Sequence, residues 1–133
     1  MTKPILIVGA GPAGLAAAHS AASAGYGVVL VEKEDRLGGA PILSGYAKLV
    51  PSHEWAKDAI GGMVSRVEKN PSIAVVKGAT VKSFDGAPGS FRATLSNGDA
   101  YDVGAAVLTT GFTHFDSVNK PEWGFGLFPD VVT

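Results

Sequence analysis

Gly9, Gly11 and Gly14 stand in the run Gly-Ala-Gly-Pro-Ala-Gly, and Glu32 closes the next apolar stretch. A glycine lets the chain turn sharply and lets an anion reach its backbone, because no Cβ stands in the way. Gly9 suits the tight turn, Gly11 the close approach, and Gly14 the packing of a following helix against a strand. Pro12 and Ala13 would open that helix, where the N–H that proline lacks has no intrahelical partner in any case. A helix beginning there points unpaired N–H groups and its positive dipole end at the same spot. A carboxylate at position 32 can accept hydrogen bonds from ribose hydroxyls, and it would repel a 2′-phosphate. The implied chemistry is the binding of a pyrophosphate and a ribose, with NADP disfavoured.

Those residues need a strand ahead of the glycines and another ahead of the acid. Ile5-Leu-Ile-Val8 and Val28-Val-Leu-Val31 are short apolar runs of the kind that strands buried on both faces need. Between them a helix from Pro12 to Ala24 is rich in small, helix-favouring residues, and Gly25 or Gly27 stops it. Strand, glycines, helix, strand and acid follow in order within about thirty residues, which is the full dinucleotide-binding pattern. A plain βαβ unit would need all of these to coincide by accident.

The chain has 133 residues, enough for one domain with a real core, and a net charge of −1 with acids and bases interspersed. No basic field is present, so nucleic acid and anionic membrane are not expected partners. The absence of cysteine excludes disulfides, cysteine-ligated iron-sulfur clusters and dithiol chemistry within this chain. The first apolar run is broken by glycines and has no small-residue cleavage site, so neither a signal peptide nor a membrane span is expected, and the default location is cytoplasmic.

Beyond Glu32, Lys33 to Arg36 form a solvated loop, and Gly38-Gly39 make a flexible corner beside whatever Glu32 holds. Residues 42–51 read as irregular, with Gly45 and Pro51 as breakers. Ser52 could cap a helix from about His53 to Asn70, its apolar face made by Ala56, Ile60, Met63 and Val67 with Trp55 and Ala59. Gly61-Gly62 should weaken or kink it. Ile73–Val76 reads as a third buried strand, giving a parallel sheet. Thr80–Phe84, Phe91–Ser96 and Ala100–Val103 then read as an antiparallel meander over 79–103, with Asn97-Gly98 as a hairpin turn. Ala105–Thr109 returns as a buried strand that ends in Thr110-Gly111. The expected fold is α/β: a Rossmann-like parallel sheet with an inserted three-stranded meander, in one domain over 1–133, with an aromatic tail over 112–133.

Other chemistry-bearing residues find no partners in the sequence. His19 has no second ligand at i+4. His53, Glu54 and Asp58 could suggest a metal or acid-base cluster, but His53 and Glu54 are adjacent and point different ways on a helix, which favours a solvated helix start. His114 and Asp116 follow the Thr-Gly turn in a loop. Trp55 suits a core or an interface better than flavin stacking. No catalytic residue and no metal site is assigned.

This order of elements resembles the two-dinucleotide-binding-domain flavoproteins. Val-Glu-Lys-Glu-Asp-Arg-Leu-Gly-Gly at 31–39 and Ala-Val-Leu-Thr-Thr-Gly-Phe at 106–112 look like that family's later signatures. The tail, with Thr110-Gly-Phe, Phe115-Asp, Lys120-Pro-Glu-Trp-Gly and Pro129-Asp-Val, is similar to the heterodisulfide reductase A subunit family and to related flavoprotein subunits of quinone-interacting complexes. The resemblance covers nearly the whole chain. It implies noncovalent FAD and electron transfer to a partner. Gly9, Gly11, Pro12, Ala13 and Gly14 would line the pyrophosphate, and Glu32 the adenosine ribose with Lys33 beside it. Gly38 and Gly39 would pass near the cofactor, Val81 would offer its backbone to the adenine, and Thr110 and Gly111 would approach from the returning strand.

Two departures from that family stand out. The stretch from Gly45 to Trp55 holds none of the cysteines the family often carries there. No Gly-Asp pair follows the returning strand, since Gly98-Asp99 lies in the hairpin. The second implies the front part of a larger flavoprotein, one that holds an ADP moiety well and a flavin ring poorly and is not catalytically complete alone. The expected function is an FAD-binding domain or fragment of an electron-transfer oxidoreductase. Its partners would be redox subunits or the remainder of a larger flavoprotein, and the oligomeric state is left open. The alternatives are an NAD(H)-binding dehydrogenase domain and a non-catalytic interaction module that keeps the fold.

Overall fold

The computed structural model describes residues 2–44 and 47–132, so the expected breaker Gly45 lies outside the described residues. Strand β1 (Ile5–Val8) leads through the glycine turn into helix α1 (Pro12–Ser23) and on to β2 (Val28–Val31). A single helical turn, α2 (Ala40–Leu43), and helix α3 (Ala56–Glu68) precede β3 (Ile73–Val76). The meander is β4 (Val81–Ala87), β5 (Ser90–Leu95) and β6 (Ala100–Val103), after which β7 (Ala105–Leu108) returns to the first sheet.

The first sheet has the order β3-β2-β1-β7, and all three pairings are parallel. Ile5 lies opposite Val28 on one side and Ala105 on the other. Side chains alternate between the faces of a strand, and here the faces have different covers. Ile7, Val28 and Leu30 pack with Leu15 and Ala18 of α1 and with Ile60 and Val67 of α3. Leu6, Val29 and Val31 pack instead with Ala93 and Leu95 of β5 and Val103 of β6. Burial on both faces is why β1 and β2 are unbroken apolar runs rather than alternating ones. Each fully buried Leu or Ile contributes roughly 1.5–3 kcal/mol.

The fold class is as expected, and several local expectations need correction. Helix α3 begins at Ala56 rather than His53. Residues 48–55 form a tight loop instead: the Leu49 N–H donates to the Glu54 carbonyl at 2.9 Å, the His53 N–H to the Leu49 carbonyl at 2.8 Å, and Lys48 bridges Trp55. His53 has φ 58, a left-handed conformation that the first turn of a helix cannot accommodate. The Ser52 hydroxyl accepts from the Glu54 N–H within this loop at 3.4 Å, so it caps no helix. Trp55 is 58% exposed, outside the core, with the Lys48 ammonium 5.2 Å from its ring centre. Gly61-Gly62 lie exposed within α3, which continues through them. Strand β4 runs on through Asp85, Gly86 and Ala87, shrinking the first hairpin turn to Pro88-Gly89. Gly86 makes this possible, because a Cβ there would stand 2.3 Å from the Ser90 carbonyl oxygen. Strands β3 and β7 are the two edges of the sheet and are less covered than expected: only Ile73 is buried in β3, and Leu108 of β7 is 75% exposed.

Candidate functional site

The carboxyl ends of β1, β2 and β7 meet at the glycine turn. The Gly9 N–H donates to the Val31 carbonyl at 2.8 Å, which ties the turn to β2. Gly9 adopts φ 100, and a Cβ there would lie 2.4 Å from the Thr109 carbonyl oxygen. A Cβ at Gly14 would lie 1.8 Å from the Gly9 carbonyl oxygen, so helix α1 can sit this close to β1 only with glycine at that position. Gly11 is different. Its φ of −72 and ψ of −176 suit any residue, and a Cβ there would meet only the Gly39 Cα, at 3.9 Å. The absence of a side chain at Gly11 therefore keeps a space open rather than relieving a clash.

That space lies at the amino end of α1. The helix has Pro12 in its first turn, no side-chain cap and no acidic residue there. The first backbone bond into the helix runs from the Leu15 N–H to the Gly11 carbonyl at 2.9 Å, so the N–H groups of Ala13 and Gly14 have no acceptor within it. Unpaired donors and the uncompensated dipole favour an anion. The Gly38-Gly39 corner closes one side. The Gly38 N–H donates to the Ala10 carbonyl at 2.9 Å, and a Cβ on Gly39 would press on the Gly11 Cα at 2.8 Å.

Glu32 is the one buried polar or charged residue among the described residues, 7% exposed. Its Oε2 accepts from the Ala10 N–H at 2.7 Å and its Oε1 from the Glu34 N–H at 3.0 Å. These bonds offset the cost of burying the charge. Each carboxylate oxygen keeps a further acceptor direction. The Glu32 backbone joins two strand ends, its N–H donating to the Val76 carbonyl at 2.8 Å and its carbonyl accepting from the Ala79 N–H at 3.1 Å.

Gly9, Gly11, Pro12, Ala13, Gly14, Glu32, Gly38 and Gly39 are thus brought together. Thr110 adjoins them, its Cα 3.1 Å from where a Gly9 Cβ would be. Gly111 follows at φ 74, with nothing within 4 Å of its Cβ position. Lys33 stands apart in a surface pair with Glu34 at 3.7 Å, its side chain 70% exposed. Val81 opens β4 opposite Leu95 and packs against the cluster that includes Val31 and Ala79. Thr109 is the residue that sequence reasoning missed. Its hydroxyl lies 2.8 Å from the Gly9 carbonyl and 2.9 Å from the Val8 carbonyl. The available signal was a hydroxyl at the end of an apolar strand.

The remaining candidates are accounted for locally. His19 is exposed on α1, beside a groove shared with Ser20, Met63 and Arg66. The Asp116 carboxylate accepts from the Val118 N–H at 3.1 Å and caps a turn over Ser117–Asn119. His114 stands edge-on to Phe112 and 3.4 Å from the Ser44 hydroxyl. Among the described residues no cluster of His, Asp or Glu could hold a metal ion, and no helix is long and apolar enough to cross a membrane.

Residues 3–124 match the sequence pattern of the pyridine nucleotide-disulphide oxidoreductases. The chain is similar to the iron-sulfur A 1 subunit of the CoB--CoM heterodisulfide reductase of Methanopyrus kandleri, at 35% identity over 97 residues covering 73% of this chain and 14% of that protein. It is also similar to the iron-sulfur A subunit of the CoB--CoM heterodisulfide reductase of Methanocaldococcus jannaschii, at 33% identity over 99 residues covering 74% and 15%. The chain therefore spans about one seventh of the length of these curated relatives. Among solved structures, T. acidophilum thioredoxin reductase superposes with a TM-score of 0.69 at 25% identity, covering 86% of this chain and 37% of that one.

Proposed function

The chain belongs to the pyridine nucleotide-disulphide oxidoreductase family, and from that premise we propose that its glycine turn and Glu32 hold the ADP half of FAD within a larger electron-transfer flavoprotein. The observation that carries this reading is the open space over Gly11, at an uncapped helix end without acids and beside a buried carboxylate. The residues fit the group. The N–H groups of Ala13 and Gly14 face a pyrophosphate, with Pro12 fixing the start of the helix. Glu32 accepts from a ribose hydroxyl while keeping its two backbone donors, and Lys33 adds a solvent-side positive charge. Gly38 and Gly39 run along the cofactor, Val81 presents backbone to the adenine, and Thr110 and Gly111 approach from β7. When bound, FAD supplies hydride or single-electron transfer, and the protein supplies position and potential.

No residue in the site is needed as an acid, base or nucleophile. The similar curated proteins are named as subunits of heterodisulfide reductases. By analogy this chain works in the cytoplasm beside redox partner subunits, or the remainder of a larger flavoprotein, that supply the donor and acceptor.

Titration calorimetry of the purified protein with FAD, ADP and NAD tests the reading, together with its visible spectrum. Heat with FAD and ADP, and flavin absorbance, are expected. Saturation by NADH in a colourless protein points to the NAD(H) alternative, and no heat with any nucleotide in folded protein leaves only an interaction module. Gly11→Val supplies the control. Its backbone conformation accepts valine without strain, so it should fold as the wild type does and bind no ADP. Normal binding by this variant rules out the placement.

A further inference from the structure

We propose that Thr109 and Glu32 grip the two ends of one peptide unit, the one joining Gly9 to Ala10, and that Thr109 is thereby a positioning residue for the nucleotide seat. The Thr109 hydroxyl shares its one proton between the carbonyl of this unit, at 2.8 Å, and that of Val8, at 2.9 Å, and the unit's N–H is 2.7 Å from Oε2 of Glu32. A trans peptide is planar, with its C=O and N–H on opposite sides. The two side chains therefore hold the plane from opposite directions. Sheet order explains how they reach it. Strand β1 runs between β2 and β7, and each neighbour contributes one residue just past its own end.

Gly9 makes such a grip necessary. At φ 100 and without a Cβ, it imposes little local preference on the peptide that follows it. Rotation of that plane would turn the Gly9 carbonyl toward the Glu32 carboxylate and remove the acceptor from the Ala10 N–H. Gly14 adds room, since its missing Cβ would lie 1.8 Å from the same carbonyl oxygen and 2.8 Å from the Thr109 hydroxyl. The next carbonyl, that of Ala10, is fixed by the Gly38 N–H at 2.9 Å. Two successive carbonyls are thus each tied to a donor, that of Gly9 to the Thr109 hydroxyl and that of Ala10 to the Gly38 N–H. The Ala10 N–H is committed to Glu32, which leaves the helix donors of Ala13 and Gly14 to meet the anion. Loss of the Thr109 hydroxyl frees the first of these peptides and admits a carbonyl dipole hostile to phosphate.

The role in binding rests on the nucleotide reading above; the grip itself does not. The experiment separates them. Amide exchange at Ala10 is followed by NMR in ligand-free wild type, Thr109→Val and Thr109→Ser, and ADP affinity is measured for the same proteins. Thr109→Val should speed Ala10 exchange by about tenfold and weaken ADP by about tenfold, the equivalent of one net hydrogen bond. Thr109→Ser should restore both to within about threefold. Unchanged Ala10 exchange in the valine variant, or failure of serine to rescue, overturns the proposal. Should the valine variant not fold, the wild type decides. A Thr109 hydroxyl proton slow enough to observe, with a cross-peak to the Gly14 α-protons, supports the grip, and a rapidly exchanging hydroxyl overturns it. Absence of ADP binding by the wild type defeats the nucleotide reading alone.

Discussion

Glu32 is held as much by the protein as it is available to a ligand. Both carboxylate oxygens already accept backbone N–H groups, at 2.7 and 3.0 Å, so the residue stabilises the turn before any nucleotide arrives. Glu32→Ala leaves the buried Ala10 N–H without its acceptor, and the ligand-free protein should lose about 1–3 kcal/mol of stability in urea unfolding. A deficit that emerges only when nucleotide is present would mean that the inward bonds carry no weight. The position and charge of this residue were legible in the sequence, from its place after Val28–Val31. Its inward orientation was not, because it depends on where the Ala10 and Glu34 N–H groups point once the chain has turned. Thr109 escaped notice for a related reason: its partner carbonyls are a hundred residues away in sequence.

Among the elements, the two helices respond oppositely to the same substitution. Gly14→Ala places a Cβ 1.8 Å from the Gly9 carbonyl, so α1 must shift away from β1. The loss should reach at least the upper part of the roughly 1–3 kcal/mol typical of overpacking, with ADP binding lost as well. Gly61→Ala and Gly62→Ala meet nothing within 4 Å and lie mid-helix. Each should raise stability by about 0.5–1 kcal/mol in thermal or urea unfolding, with nucleotide affinity unchanged. Helix α1 and strands β1 and β2 were legible because apolar runs, Pro12 and the glycines all agree locally. The start of α3 was not, because the bridge from Lys48 to Trp55 overrides the helix signals of Ser52 and His53. Exposure of the edge strands was equally hidden: the apolar run in β7 reads the same whether or not a neighbour covers it.

At the scale of the whole molecule, apolar surface is concentrated on one margin and along the tail. Leu108, Phe112, Phe115, Trp123, Leu127 and Phe128 are each more than 60% exposed. An open edge strand with apolar side chains invites pairing with another chain. Leu108→Lys should therefore reduce concentration-dependent association, read by light scattering, and leave ADP affinity as it was. Strand order carries a further consequence, for biosynthesis. Strand β1 leaves the ribosome well before β7, yet β7 is one of its two neighbours in the sheet, and Gly9 receives the Thr109 hydroxyl across 100 positions of sequence. Closing so long a loop is slow and late. A nascent chain stalled before residue 105 holds every glycine of the motif together with Glu32, but it lacks both a flank of its central strand and a hold on its first turn. Cofactor capture must then wait for translation to pass that point.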